Sequence, residues 1–296
     1  MRVRDLTPGQ EIDQVLMVRA SDARRVVLGD RTGTLEAAPC PIAAGSCVRV
    51  VGTVEPRGRL DVRSVRDAKP GEYDLDDLLD GPRIPVDRME ADLRALIATI
   101  QCSHLRGLLD RVFGVGTPTW EQFREAPAAK RFHQAYRHGL LEHSLTVAQG
   151  VSAISATFGG VDRDVAVTGA LLHDIGKLDA YTSDPLAIDM TDLGKLQGEI
   201  PLGYYRVRRI IEDLPAFPSE LAVAVLHIIL SHHGQLEHGS PVVPCTREAT
   251  LVHMLDNLGG RLGSFDRLEK ELPEGSAWSG YDRALGGGAW FASRAA

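Results

Sequence analysis

The segment LLHDIGK, residues 171–177, places a histidine and an aspartate side by side at the end of an apolar run. The run, 167–172, predicts a buried helix. Burying an imidazole beside a carboxylate costs free energy unless a partner neutralises them. His173 and Asp174 would point about 100° apart on a helix, so they can reach one cation only from a helix end. Gly176 follows at the position where such an end is expected.

Other side chains with metal-ligand chemistry lie on separate predicted helices of the same part of the chain. His232 and His233 precede Gly234, which repeats the helix-end arrangement. Asp256 lies in an otherwise apolar helix, where a carboxylate needs a partner. Imidazole and carboxylate together suit Mn, Fe, Co, Ni, Zn or Mg. A single His-Asp pair is weak evidence, and the prediction depends on the order of all the groups. The candidate ligands are His143, His173, Asp174, Glu199, His232, His233 and Asp256.

An acidic segment rich in proline and glycine divides the chain. Before it, runs rich in valine, leucine and isoleucine predict five strands, at 12–18, 25–28, 32–37, 46–54 and 60–65. So many short strands are typical of a small OB-type barrel, although an SH3-like barrel would give a similar pattern. After it, apolar residues recur at helical spacing, no comparable strand pattern follows, and the glycines at 286–288 predict a flexible tail. We expect a multidomain protein with an all-β OB-like barrel at 1–68, a linker at 69–86 and an all-α domain at 87–296.

The charge balance differs between the two predicted domains. Residues 1–70 carry 12 Lys/Arg and 9 Asp/Glu, whereas the whole chain has a formal net charge of -7. This acidic balance argues against blanket attraction to nucleic acid or anionic membranes. Residues 1–72 contain no Phe, Tyr or Trp, so aromatic stacking on bases is missing there. Arginines can still track phosphates, or can form the solvated face of a barrel used for packing. The candidates are Arg24, Arg25, Arg31, Arg57, Arg59 and Arg63.

The cysteines and the N-terminus indicate the compartment. Four cysteines lie far apart with no C-x-x-C spacing. A core of this size does not need disulfides, so buried free thiols in a reducing cytosol are the favoured interpretation. The N-terminus has no apolar signal core, and the longest apolar run is half a membrane span. We predict a cytoplasmic protein without membrane association.

Taken together, the motifs resemble a known family. The order of His143, His173-Asp174 and Asp256 is similar to the signature of HD-domain metal-dependent phosphohydrolases. One branch, the YhaM-type 3′-5′ exoribonucleases, couples an OB-like module to an HD domain. The segments that resemble it are GLLEHSL (139–145), GALLHDIGK (169–177), LSHHGQLEHGSPV (230–242), LDNLGGRLGSF (255–265) and SGYDRALG (279–286). The resemblance covers residues 85–290 well and the first 70 loosely, and it is more specific for fold than for substrate.

The resemblance implies roles for individual residues. The primary metal site would consist of His143, His173, Asp174 and Asp256. Asp174 would also bridge to a second ion, which His232 and His233 would hold. The expected catalytic residues are Asp174, Lys177 near phosphate, and His133 near the substrate.

Glu199 departs from the family pattern, because it stands where the family usually has histidine. A carboxylate keeps an oxygen donor at this position and should shift metal preference towards Mn or Mg. The alternative is that the second metal has been lost.

The activity that the resemblance implies is hydrolysis of single-stranded RNA, and also of single-stranded DNA, from the 3′ end to 5′-nucleoside monophosphates. Two divalent ions would serve as cofactor, with Mn favoured and Mg, Fe, Co or Ni open. One alternative is a phosphohydrolase of free or cyclic nucleotides. Another is a non-catalytic nucleic-acid-binding protein with a degenerate HD site. A homo-oligomer is left open.

Overall fold

The computed structural model describes residues 1–82, 84–130, 134–182, 188–270, 272 and 276–292. The chain forms two compact units, Met1–Gly81 and Pro82–Ala296.

The first unit is a closed five-stranded barrel. Its strands are β1 (Glu11–Ser21), β2 (Val26–Asp30), β3 (Gly33–Ala37), β4 (Cys47–Glu55) and β5 (Arg59–Asp67). They close in the order β1-β2-β3-β5-β4, with β3 and β5 parallel and the other pairs antiparallel. Inward residues alternate with outward ones along β4, where Val48, Val50 and Val54 are buried. The predicted OB-like barrel is confirmed.

Part of the segment predicted as a linker folds onto this barrel. Helix α1 (Leu75–Leu78) lies within it, and both Leu78 and Leu79 are buried. Arg19 Nη2 donates to Leu78 O at 2.7 Å and to Asp30 O at 3.1 Å. The barrel unit therefore extends to residue 81.

The second unit is predominantly helical, as predicted. Its helices are α2 (Val86–Ala98), α3 (Ser103–Phe113), α4 (Pro118–Glu125), α5 (Gly139–Ser155), α6 (Arg163–Leu172), α7 (Lys177–Ala180), α8 (Asp192–Gln197), α9 (Glu199–Glu212), α10 (Ser219–Ser231) and α11 (Arg247–Lys270). Among the helices that the structure describes, none has the length and hydrophobicity needed to cross a lipid bilayer.

Helix α6 lies at the centre of this unit. Every residue from Val165 to Leu172 is buried, which explains a sequence that is apolar on all sides. A Cβ added to Gly169 would lie 2.3 Å from Ile228 Cδ1, so the glycine lets α6 and α10 approach closely. The His-Asp pair follows directly and is held by this packed core.

A β-hairpin near the C-terminus corrects the expectation of a flexible tail at 286–288. Strand β6 (Trp278–Asp282) pairs antiparallel with β7 (Gly287–Trp290). The buried Asp282 side chain accepts hydrogen bonds from the N–H groups of Ala284 and Leu285, which fixes the turn. The glycines thus supply a turn and a strand rather than a mobile end.

Candidate metal centre

Two helix ends present histidines in the same way. His173 follows the last residue of α6, and its Nδ1 contacts Ala170 O at 2.7 Å. His232 follows the last residue of α10, and its Nδ1 contacts Ile229 O at 2.8 Å. A carbonyl only accepts, so each Nδ1 carries the proton. In the tautomer that can bind a metal, Nε2 is therefore the nitrogen without a proton in both residues.

An inner cluster, consisting of His143, His173, Asp174 and Asp256, gathers donors from α5, α6 and α11. His143 Nε2 lies 3.2 Å from His173 Nε2, 3.2 Å from Asp174 Oδ2 and 3.1 Å from Asp256 Oδ1. The donor atoms of His143, His173 and Asp256 all lie within 4.8 Å of one another. Two histidines and two carboxylates converging in this way match the donor set of a transition-metal or Mg site.

An outer cluster, consisting of His232, His233 and Glu199, lies on the other side of Asp174. His232 Nε2 is 3.5 Å from Asp174 Oδ1, and His233 Nε2 is 3.6 Å from Glu199 Oε1. The rings of His232 and His233 are 4.4 Å apart between centroids. The two oxygens of Asp174 therefore face different groups of donors.

Two atoms between the clusters, Asp174 Oδ1 and His232 Nε2, indicate whether a cation fits there. Both atoms are buried, and within the described parts of the chain neither has a hydrogen-bond partner. Buried polar atoms without partners are rare, since each costs about 1–3 kcal/mol. A carboxylate oxygen and an imidazole nitrogen are both metal ligands, so a divalent cation suits this pair.

The electrostatics of the site favour added positive charge. Burial favours the neutral acid at Asp174, but Lys177 and His173 hold its pKa well below the usual range. Burial opposes protonation of His173, yet the carboxylates of Asp174 and Asp256 raise its pKa to about 10. Lys177 Nζ donates to Asp174 Oδ2 at 2.6 Å. Divalent cations would supply the charge that these carboxylates attract.

Two glycines allow the chain to form the site. A Cβ on Gly176 would lie 1.9 Å from Glu199 O, so only glycine lets the turn after Asp174 meet the start of α9. Gly234 has a φ of +80°, and a Cβ there would lie 2.1 Å from the ring of His253. This glycine ends the turn that carries the outer histidines.

Two residues to which the sequence assigned no functional role contact the candidate ligands. Gln134 Oε1 lies 3.1 Å from His143 Nδ1, and His253 Nδ1 lies 2.7 Å from His232 O. His253 precedes Asp256 by three residues, so helical spacing could have drawn attention to it. Gln134 lies before α5 and had no periodic signal. The predicted catalytic residue His133 lies outside the described residues.

Comparison with known proteins identifies the family. The model of the HD domain matches residues 140–260. Over 288 residues, the chain is 30% identical to the 3′-5′ exoribonuclease YhaM of Bacillus subtilis (strain 168), covering 90% of each chain. The chain belongs to the YhaM-type HD-domain family. The protein of the same name from Geobacillus sp. (strain WCH70) is 29% identical, with 90% of this chain and 87% of that protein covered.

Membership of the YhaM-type family makes the chain a metal-dependent hydrolase. Among solved structures, telomere capping protein Ten1 from Saccharomyces pombe is 19% identical at a TM-score of 0.21, covering 23% of this chain and 76% of that chain. A score this low carries no argument about the fold.

Four of the candidate arginines lie at one end of the barrel in this YhaM-type chain. Arg24 and Arg25 lie in the β1–β2 connection, and Arg57 and Arg59 lie at the β4–β5 connection. Glu36 of β3 joins the two groups, because it pairs in register with Arg59 and forms an ion pair with Arg25. In OB folds these two connections are binding loops.

The other two arginines do not continue this group. Arg31 follows β2 at the opposite end of the β2–β3 hairpin, and its N–H donates to Asp77 O at 3.0 Å. Arg63 lies along β5, where its Nη2 is 2.7 Å from Glu11 Oε1. The six exposed arginines therefore do not form a single stripe.

Proposed function

We propose that the chain is a metal-dependent 3′-5′ exoribonuclease that degrades single-stranded RNA to 5′-nucleoside monophosphates. The observation that carries this proposal is Asp174, whose two oxygens each face a separate group of imidazole and carboxylate donors. A carboxylate shared between two donor groups is suited to a two-metal phosphodiesterase. The names of the curated relatives support the direction and the RNA substrate.

The inner cluster would hold one ion and the outer cluster a second, with Asp174 shared. When bound, such a pair supplies an activated water and neutralises charge on the phosphoryl oxygens. Glu199 adds an oxygen donor to the outer cluster, which supports Mn or Mg over softer ions.

The side chains around the ions would orient them and the phosphate. Lys177 holds Asp174 Oδ2 at 2.6 Å, which fixes the carboxylate and leaves Oδ1 directed at the outer histidines. The Lys177 ammonium carries three hydrogens, so it can donate to a phosphate oxygen as well as to Asp174 Oδ2. His133 stays a prediction for proton transfer near the substrate.

The barrel would hold the strand by its phosphates. Arg24, Arg25, Arg57 and Arg59 are exposed at the two OB binding loops. With no aromatic residue in the first 72 positions, binding there would be electrostatic and would also accept single-stranded DNA. The four cysteines are free thiols, but the prediction that they are buried is wrong, because Cys40, Cys47 and Cys102 are half-buried and Cys245 is exposed. Free thiols support a cytoplasmic location.

A labelled RNA tests the proposal. A 5′-labelled single-stranded RNA incubated with Mn should shorten stepwise from the 3′ end and release 5′-monophosphates. The Asp174→Asn variant is the control, because it keeps the shape of the side chain and removes the shared charge. Intact RNA beside hydrolysed free nucleotides would identify a nucleotide phosphohydrolase instead. If neither is hydrolysed and less than one metal ion binds per chain, the site has decayed.

A further inference from the structure

Helix α11 exposes an apolar stripe on the side away from the metal centre. Met254, Leu258, Leu262 and Phe265 are 57%, 46%, 57% and 38% exposed. Their spacing places them on one side of the helix. Asp256 is two residues from both Met254 and Leu258, so it points to nearly the opposite side. The stripe therefore does not face the reaction site.

The C-terminal hairpin exposes an aromatic face. Trp278 pairs with Trp290 across the two strands, and Tyr281 pairs with Gly288. Trp278, Trp290 and Tyr281 are 61%, 58% and 78% exposed. Asp282 and Ala289, on the other side of the strands, are buried. Large aromatic side chains exposed together on one sheet face mark an interaction site.

The α11 stripe adjoins the hairpin. The rings of Phe265 and Phe291 are 6.2 Å apart between centroids, in an edge-to-face arrangement. Arg267 of α11 also forms an ion pair with Asp282 of β6. The hairpin is therefore fixed to the helix, and the stripe ends at Phe265, where the hairpin begins.

The apolar area matches what a stable pair of chains requires. Taking about 200 Å² for an aromatic side chain and about 100 Å² for an aliphatic one, the exposed fractions give roughly 600 Å² per copy. Two copies would bury roughly 1,200 Å², the lower limit of stable specific interfaces at ~1,200–2,000 Å². Leucine and methionine have no stacking or charge to offer a nucleic acid, whereas Met and aromatic residues are enriched in protein interfaces.

We propose that the α11 stripe and the aromatic hairpin face together form a self-association surface that binds a second copy of this chain. In a two-fold arrangement the same patch meets itself, so one surface serves both subunits. The metal centres would remain open, because the stripe and Asp256 lie on opposite sides of α11.

Sedimentation velocity on the full chain over a range of concentrations tests this surface. The unaltered protein should associate, and Leu262→Glu should raise its dissociation constant by about 100-fold or more through buried like charges. Val223→Glu is the matched control, since Val223 is a helical residue of α10 that is 68% exposed and outside the surface. Circular dichroism of both variants should match the parent.

Three outcomes would overturn the proposal. The first is a parent protein that is monomeric at every concentration. The second is Leu262→Glu associating as strongly as the parent and the Val223→Glu control. The third is a Trp278→Ala variant that associates as strongly as the parent but binds single-stranded RNA more weakly, since the aromatic face would then bind nucleic acid. Neither RNA hydrolysis nor its absence bears on the result.

Discussion

The two sides of Asp174 differ in how completely the protein organises them. Oδ2 has Lys177 at 2.6 Å, His143 at 3.2 Å and His173 at 3.3 Å. Oδ1 has His232 at 3.5 Å and no hydrogen bond among the described residues. The inner side is thus held by direct contacts between protein groups, whereas the proposed second cation would neutralise the outer side.

Burial follows the same division for His143, His173 and His233, although His232 of the outer cluster is buried and the Asp256 side chain of the inner cluster is 19% exposed. His143 and His173 are 5% and 1% exposed, whereas the side chains of His233 and Glu199 are 28% and 22% exposed. The inner donors come from packed core helices, and two of the outer ones lie at the start of α9 and in the turn after α10. We infer that an inner ion binds tightly and that an outer ion exchanges more readily.

Removing the shared charge should have the largest effect. Asp174→Asn takes a carboxylate from both sides, so both ions should be lost and turnover of RNA should fall by about 10⁴-fold or more. Metal analysis after dialysis, together with an RNA hydrolysis assay, measures both. Full turnover in a folded Asp174→Asn variant would remove Asp174 from the mechanism.

Single histidine variants separate the contributions of the two sides of Asp174. His173→Ala should abolish the inner ion and lower turnover about 10³-fold, whereas His233→Ala should leave about one tightly bound ion and lower turnover about 10²-fold. Titration calorimetry with Mn counts the sites in each variant. Equal loss of both ions in the two variants would contradict an unequal pair of sites.

Stability should depend on pH differently with and without metal. In metal-free protein the pKa of His173 is raised to about 10, against an ordinary value of about 6.5. Its contribution is therefore complete below about pH 6.5 and declines as the pH rises towards 10. The pKa values of Asp174 and Asp256 are lowered, so their contributions are present above about pH 4 and decline as the pH falls.

Metal-free protein should accordingly be most stable between about pH 4 and 6.5 and lose roughly 3 kcal/mol by about pH 9. With Mn bound, the cation replaces the proton and this alkaline loss should disappear. Urea unfolding in chelator and in Mn measures the difference. Identical pH profiles in the two conditions would show that no cation neutralises the cluster.

Exchanging one outer donor should have the smallest effect. Glu199→His replaces an oxygen donor with a nitrogen donor. The binding preference of the outer site should therefore shift about tenfold from Mn towards Ni or Co. Competition binding between these metals measures the shift, with Glu212→His on the exposed end of α9 as control. An unchanged metal preference would show that Glu199 does not bind the outer ion.

Sequence reasoning performed well where a strong local pattern and a packed core agree. Apolar spacing predicts helices at about 130–158, 162–174, 200–213, 219–232 and 246–269. The last four correspond to α6, α9, α10 and α11, which, like the strands of the barrel, begin and end within about three residues of their predicted limits. Helix α5 begins at Gly139 rather than near 130, because His138 adopts a left-handed φ of 68°. Such a backbone change has no signature in hydrophobic spacing.

The candidate site likewise contains contacts that the sequence predicted and contacts that it did not. The motif order predicted that His143, His173, Asp174 and Asp256 would meet, and they do. Their role as ligands stays a prediction. The contact of Gln134 arises from loop geometry, which no residue pattern records, whereas His253 lies on α11 three residues before Asp256, a spacing that the sequence does show. The arginines of the barrel were chosen by charge alone, and charge does not specify which end of a strand a residue occupies.

Anomalous diffraction from crystals soaked in Mn is the decisive measurement for a metal centre at Asp174, because it locates the ions independently of activity. We predict two peaks on either side of Asp174, each about 2.0–2.3 Å from its donors, with higher occupancy at the inner cluster. No peak within reach of Asp174 in well-diffracting, metal-soaked crystals would contradict a shared metal centre.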